Sequence, residues 1–158
     1  MVIWTDESSV EIGKESRTCT VWRRKGERYR EECLVPTFKS GRKSIMVWGC
    51  IFYGKRGPLV RMPAQRRKGE DYVDIILAGP LWDFYVERFD AVGAALVMED
   101  GAPVHRAKVA QSFRTCNFME SIPHPPQSPD LNPIEHVWKR LKVLVNKRPT
   151  RPRNEEEL

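Results

Sequence analysis

The chain has 158 residues, with 27 Lys and Arg against 21 Asp and Glu, a net charge of +6 and a pI near 9.3. A content of 41% hydrophobic and 30% charged residues reads as one globular domain with a sizeable core. No apolar run approaches the roughly 18 residues of a membrane helix, and the N-terminus has no signal-peptide pattern. The basic balance suits a polyanion, usually nucleic acid, although a basic protein with no such partner fits equally well. None of the four cysteines, Cys19, Cys33, Cys50 and Cys116, forms a Cys-x-x-Cys pair, which argues against a zinc site or a disulfide framework. Cys50 and Cys116 lie in apolar stretches and are expected to be buried thiols in a reducing compartment, cytosol or nucleus.

Residues 1–13, "MVIWTDESSVEIG", begin apolar and then alternate, which predicts a strand continuing past Asp6. Residues 14–36 are rich in Lys and Arg, a candidate basic arm with a turn at Lys25-Gly26. Residues 43–62 read as two strands, the first nearly continuous in apolar residues, with Gly54 and Gly57 marking a hairpin. A polar loop over 63–71 contains Arg66-Arg67-Lys68, most simply a solvated run. Residues 71–89 have helical spacing, broken near Gly79-Pro80. A buried strand is expected at 94–100 and a helix at 105–117, with Val109, Ser112/Phe113 and Cys116 on one side. A short strand at 118–122, a Pro-rich loop at 123–133 and a last helix at 133–147 follow. Trp138, Leu141 and Val145 are expected on that helix's buried side. The order predicts an α/β fold, a mixed sheet with helices on both faces. Met1 directly before a core strand suggests a piece of a longer protein.

Asp6 and Asp100 each follow an apolar strand, and ligands of open α/β sheets gather beyond strand carboxyl ends. Two such acids on neighbouring strands would suit a hard cation, Mg²⁺ or Mn²⁺. An ordinary strand-end turn explains either acid alone. Glu135 has its own simple explanation: Asn132 as N-cap, Pro133 at N1 and Glu135 at N3 resemble a capping box. His105, His124 and His136 lack ligand spacing and read as structural or exposed. Ser8, Ser9 and Ser128 lack a nucleophile-elbow context. The five tryptophans, Trp4, Trp22, Trp48, Trp82 and Trp138, read as core.

Four motifs occur in order: "VIWTDES", "SIMVWGCI", "MEDGAPVHRAK" and "PPQSPDLNPIEHVWKRLK". Together they resemble the catalytic domain of a mariner-superfamily DDE transposase of the Tc type, over residues 2 to 147. Thirty-four residues separate Asp100 from Glu135, the separation of the Tc-type branch. The resemblance implies an RNase H-like fold, a five-stranded mixed sheet flanked by helices over 1–147, with 148–158 as a truncated tail. It implies that Asp6, Asp100 and Glu135 are the catalytic acids and hold two Mg²⁺ or Mn²⁺ ions. The implied reaction is cutting of DNA phosphodiesters and joining of the freed 3′-hydroxyl to target DNA at a TA step. The implied setting is nuclear, with DNA as partner, a homodimer in the full-length enzyme, and neither a membrane nor a small-molecule cofactor. Arg23, Arg24 and Lys25 of the basic arm, where relatives carry a clamp-like protrusion, and Lys139 are candidate DNA contacts. Three features depart from the family pattern. The 158 residues include no helix-turn-helix of the kind expected ahead of the first strand, Gly101 stands where Asn is commoner, and relatives are expected to continue past "RNEEEL". A domesticated or truncated remnant acting as a nucleic-acid-binding module, and a nuclease without strand transfer, remain the alternatives.

Overall fold

The computed structural model describes residues 1–11, 44–66, 68–125 and 128–148. The basic arm, with Arg23, Arg24 and Lys25, and residues 149–158 lie outside the described residues. Five strands form one sheet in the order β3-β2-β1-β4-β5. β1 (Val2–Glu11) pairs antiparallel with β2 (Ser44–Phe52), which pairs antiparallel with β3 (Lys55–Met62). On its other side β1 runs parallel to β4 (Leu96–Met98), which runs parallel to β5 (Ser121–Ile122). The sheet is therefore mixed, as the pattern of the chain predicts. Among the described residues no helix is long and apolar enough to cross a membrane.

The hairpin between β2 and β3 turns at Gly54, whose φ of +69° is the left-handed region that favours glycine. Gly57 is not part of that turn. It lies inside β3, beside a register shift between Gly49 and Ile51, and a Cβ there would stand 2.2 Å from Cys50 Sγ. Its missing side chain lets the two strands approach.

A helical segment follows: α1 (Gly69–Tyr72), a π-helical stretch (Val73–Leu81) and α2 (Trp82–Val92). The chain leaves helical geometry at Gly79 (φ −132°, ψ −105°), just before Pro80, because proline cannot donate to the preceding turn. α2 ends at Gly93 in the left-handed conformation. α3 (Lys108–Cys116) lies between β4 and β5, and a 3₁₀ turn (Pro129–Leu131) leads to α4 (Ile134–Asn146).

Strand alternation divides the core between the two faces of the sheet. Ile3, Trp48, Cys50 and Phe52 face the first helical layer and pack with Tyr72, Ile76, Leu77, Leu81, Phe84 and Tyr85. Val10 and Val47 face the other way and pack with Ile134 and Trp138 of α4, with Leu141 and Val145 alongside. Burial pushes the Cys50 thiol up to about 12. Cys116, expected inside, is exposed, and so is Val109. α3 is rotated from the expected orientation. Ala110 is its buried residue, and Phe113 meets Trp82 edge-on at 6.1 Å. Arg114, bound to Glu99, also turns inward, which a count of apolar residues does not register.

Candidate active site

β4 stops at Met98 while β1 runs on to Glu11, paired beyond that point only with β2. Trp4 pairs with Met98, so Asp6 and Asp100 each lie two residues beyond the last parallel pair. Asp6 thus sits inside its strand rather than at its end, in a notch left where β4 finishes. Glu135 comes from the first turn of α4, on the face of the sheet to which Asp6 points. All three acids line one cleft of about 280 Å³, with Gly101, Ala102, His124, Ser128 and Asn132.

Local contacts set each acid. Trp138 Nε1–H donates to Asp6 Oδ2 at 3.0 Å. The indole reaches Asp6 because Asp6 pairs across the sheet with Gly49, where a Cβ would stand 2.8 Å from Trp138 Cη2. Burial, then the nearby Glu135 and Glu7 carboxylates, push the Asp6 carboxyl up to about 6, against the lowering effect of the Trp138 bond. Asp100 Oδ1 accepts from the Ala102 N–H at 2.9 Å and lies 2.7 Å from His105 Nδ1. The His105 bond is the main reason that the Asp100 carboxyl is held below its usual range.

The capping box expected at the start of α4 does not form. Helical hydrogen bonding begins one residue later, at Ile134, and Glu135 makes no side-chain cap bond. Asn132 is buried and works across the fold instead. Its Nδ2 donates to the Thr5 carbonyl at 3.1 Å, while its Oδ1 accepts from the Ile134 N–H at 3.3 Å. One amide thereby fastens the start of α4 to β1 beside Asp6 and leaves the Glu135 carboxylate to the cleft. Thr5 adds a bond from its hydroxyl to the Met98 carbonyl at 3.0 Å, holding β1 to the end of β4.

Of the residues singled out in the sequence, Asp6, Asp100 and Glu135 come together. Lys139 is exposed one helical turn beyond Glu135. His124 is half-buried in the cleft wall, and His136 is exposed. His105, which reads as a bystander in the sequence, is buried and also lies 3.3 Å from Glu7 Oε1. Burial opposes its charge, but hydrogen bonds to Asp100 and Glu7 and the field of Glu7 and Glu99 outweigh this and push it up to about 10. Asn132, Trp138, His105 and Glu7 are contributors that sequence reasoning missed. The available signals were position alone: Glu7 beside Asp6, His105 five residues past Asp100, and Trp138 three past Glu135.

Three carboxylates in one cleft offer only hard oxygen donors, which fits Mg²⁺ or Mn²⁺ rather than a softer metal. Asp6, desolvated and facing Glu135, is a group whose charged form a cation would stabilise. Among the described residues no three His, Cys, Asp or Glu side chains are already arranged around a single point that could hold an ion.

The family model for DDE superfamily endonucleases matches residues 1–158. The chain is 33% identical over 143 residues to the Tc1 transposase of Caenorhabditis elegans, covering 89% of this chain and 50% of that protein. It is 34% identical over 145 residues to the Tcb1 transposase of Caenorhabditis briggsae, with the same coverage. It therefore spans about half the length of these relatives. Among solved structures, the Mos1 mariner paired end complex with Mn matches 98% of this chain and 44% of its own, with a TM-score of 0.71 and 18% identity. The catalytic domain of Mos1 mariner transposase matches 96% of this chain and 63% of its own, with a TM-score of 0.63 and 16% identity. At such identities the likeness is one of fold, and that fold is RNase H-like. Sequence and fold agree: the chain belongs to the DDE superfamily of endonucleases, in the Tc1/mariner branch of DDE transposases.

Proposed function

We propose that this chain is the part of a DNA transposase that cuts and rejoins phosphodiester bonds. The observation that carries the reading is the meeting of Asp6, Asp100 and Glu135 in one cleft at the end of β4. Their sequence separations are more than ninety residues and then thirty-four, so only the fold gathers them.

In this reading Asp6, Asp100 and Glu135 hold two Mg²⁺ or Mn²⁺ ions. When bound, such ions stabilise the attacking and leaving oxygens of an in-line displacement. Asp6, on the rigid central strand, provides the fixed carboxylate, and Trp138 keeps one of its oxygens in place. Asp100 and Glu135 approach from a loop and a helix end. Water first attacks phosphorus, and the P–O3′ bond breaks to release a 3′-hydroxyl. That hydroxyl then attacks a target phosphodiester, a new P–O bond forms, and the target strand's own 3′-oxygen leaves with a proton. Exposed Lys139 on α4 supports the reading as a phosphate contact close to Glu135. DNA as the partner, pairing of two subunits and a nuclear setting belong to the same proposal.

The test is nicking of supercoiled plasmid with Mn²⁺ by the wild type and by Glu135→Gln. The wild type should convert plasmid to open circles and the variant should fall by at least about 100-fold, the scale of a lost charge-stabilising group. Equal activity in both would remove Glu135, and with it this reading of the cleft.

A further inference from the structure

A second cluster of ionisable groups adjoins the cleft, around one imidazole. The His105 side chain is 4% exposed, with Nδ1 2.7 Å from Asp100 Oδ1 and Nε2 3.3 Å from Glu7 Oε1. Both nitrogens therefore have a carboxylate partner. The ring packs on Tyr72, with centroids 4.6 Å apart. Tyr72 Oη–H donates to Glu99, and Glu99 lies 2.6 Å from Arg114 Nη2. Arg114 Nη1 donates to the His105 carbonyl at 2.9 Å. The imidazole is thus fixed at both nitrogens, at one face and at its backbone, as a buried polar group with a full set of partners is.

Asp100 differs in kind. It lies on the loop after β4 with its side chain 47% exposed, lining the cleft. The two bonds that hold it, from the Ala102 N–H and from His105 Nδ1, both fall on Oδ1. Ala102 belongs to the same loop and moves with it. His105 is tied through Glu7 to the central strand, the strand that carries Asp6.

We propose that His105 is a positioning residue: anchored to β1 through Glu7 and clasped by Tyr72 and Arg114, it holds Asp100 Oδ1 so that Oδ2 is the oxygen presented to a divalent cation in the cleft. The inference rests on the reading of Asp100 as a metal ligand given above. It adds a relation between the two strands. Adjacent residues of β1 point to opposite faces, so Asp6 lines the cleft directly while Glu7 sets Asp100 through His105. The spacing between the first and second acids is then fixed by one strand. Groups that orient a metal ligand typically change affinity by ~10- to 100-fold when removed.

The experiment measures Mn²⁺ binding by the 158-residue chain from the loss of the free-ion paramagnetic resonance signal. It compares the wild type with His105→Asn, His105→Gln and Asp100→Asn, and records each melting temperature. An asparagine amide reproduces the Nδ1 donor toward Asp100, whereas a glutamine amide reproduces the Nε2 donor toward Glu7. His105→Asn, which keeps the donor to Asp100 but loses the tie to Glu7, should weaken Mn²⁺ binding by less than His105→Gln, which should lose ~10-fold or more. Their melting temperatures should fall together, since both lose the buried ring. Wild-type affinity in His105→Gln, or equal loss in both variants, overturns the proposal. Loss of binding in Asp100→Asn with none in His105→Gln defeats the assignment of His105 alone. Unchanged binding in Asp100→Asn defeats the metal-site reading, and this inference with it.

Discussion

The Trp138 indole donates to Asp6 Oδ2 at 3.0 Å and so joins the helix that carries Glu135 to the strand that carries the first acid. Trp138 is one of the buried residues of its core cluster, so one side chain both packs the helix and orients a carboxylate. Trp138→Phe keeps most of the apolar volume and removes the donor. It should lower stability by about 1.5–3 kcal/mol in urea unfolding, the scale of a lost bond to a charged group. It should also move the Asp6 carboxyl titration further upward, as followed by carbon NMR.

Gly49 should tolerate no side chain, because a Cβ there meets the Trp138 ring at 2.8 Å. Gly49→Ala is expected to destabilise by about 1–3 kcal/mol, the usual result of overpacking a filled core. Gly101 is the opposite case: no atom lies within 4 Å of a Cβ built on it. Gly101→Asn should therefore unfold within about 0.5 kcal/mol of wild type. Chemical denaturation of the pair checks both expectations.

The Asp6 carboxyl gives a pH dependence with a definite sign. Its folded value is pushed up to about 6 from 3.8, so between these values the folded chain holds the proton more firmly than the unfolded one. Stability from this group is present below about pH 4 and is lost as pH rises through about 6. Asp6→Asn removes the effect. The variant should melt increasingly above the wild type from pH 4 to pH 7, by a few degrees at most, on the order of 1–2 kcal/mol once solvent screening is allowed for. Added Mg²⁺ should raise the wild-type melting temperature at pH 7 and leave that of Asp6→Asn nearly unchanged.

Asn132 performs two tasks that substitution can separate. Asn132→Asp keeps an oxygen for the Ile134 N–H and loses the donor to the Thr5 carbonyl. Asn132→Ala loses both. The alanine variant should be destabilised by about 1–3 kcal/mol, from an unpaired buried carbonyl and a lost helix-start bond. If the aspartate variant matches the wild type in calorimetry, the bridge to Thr5 carries no weight.

Lys139 offers a functional counterpart on the same helix. If it meets a DNA phosphate, Lys139→Ala should weaken duplex binding for all sequences alike. It should reduce the slope of log affinity against log salt by about 1. Fluorescence anisotropy over a salt series measures this, and an unchanged slope would show that Lys139 touches no phosphate.

By itself the sequence determined the order and type of the elements. Apolar alternation in 1–13, the break at Gly79-Pro80 and the spacing of Trp138, Leu141 and Val145 are local signals, governed by backbone sterics and by which side must be dry. The motifs also carried the three acids, because residue type and separation persist along a chain without knowledge of its path. Tertiary structure decided what surrounds those acids. His105 gave no local sign of meeting both Asp100 and Glu7, since Glu7 lies ninety-eight residues away in the chain. Asn132 read as a helix cap because the Thr5 carbonyl it bridges, 127 residues distant, is invisible to local pattern. The inward face of α3 was misread for the same reason: Arg114 is drawn inward by its pairing with Glu99, and apolar periodicity cannot count a charge whose partner lies on another element. Local preferences fix what each segment becomes, whereas the partners of polar groups at the site depend on where distant segments meet.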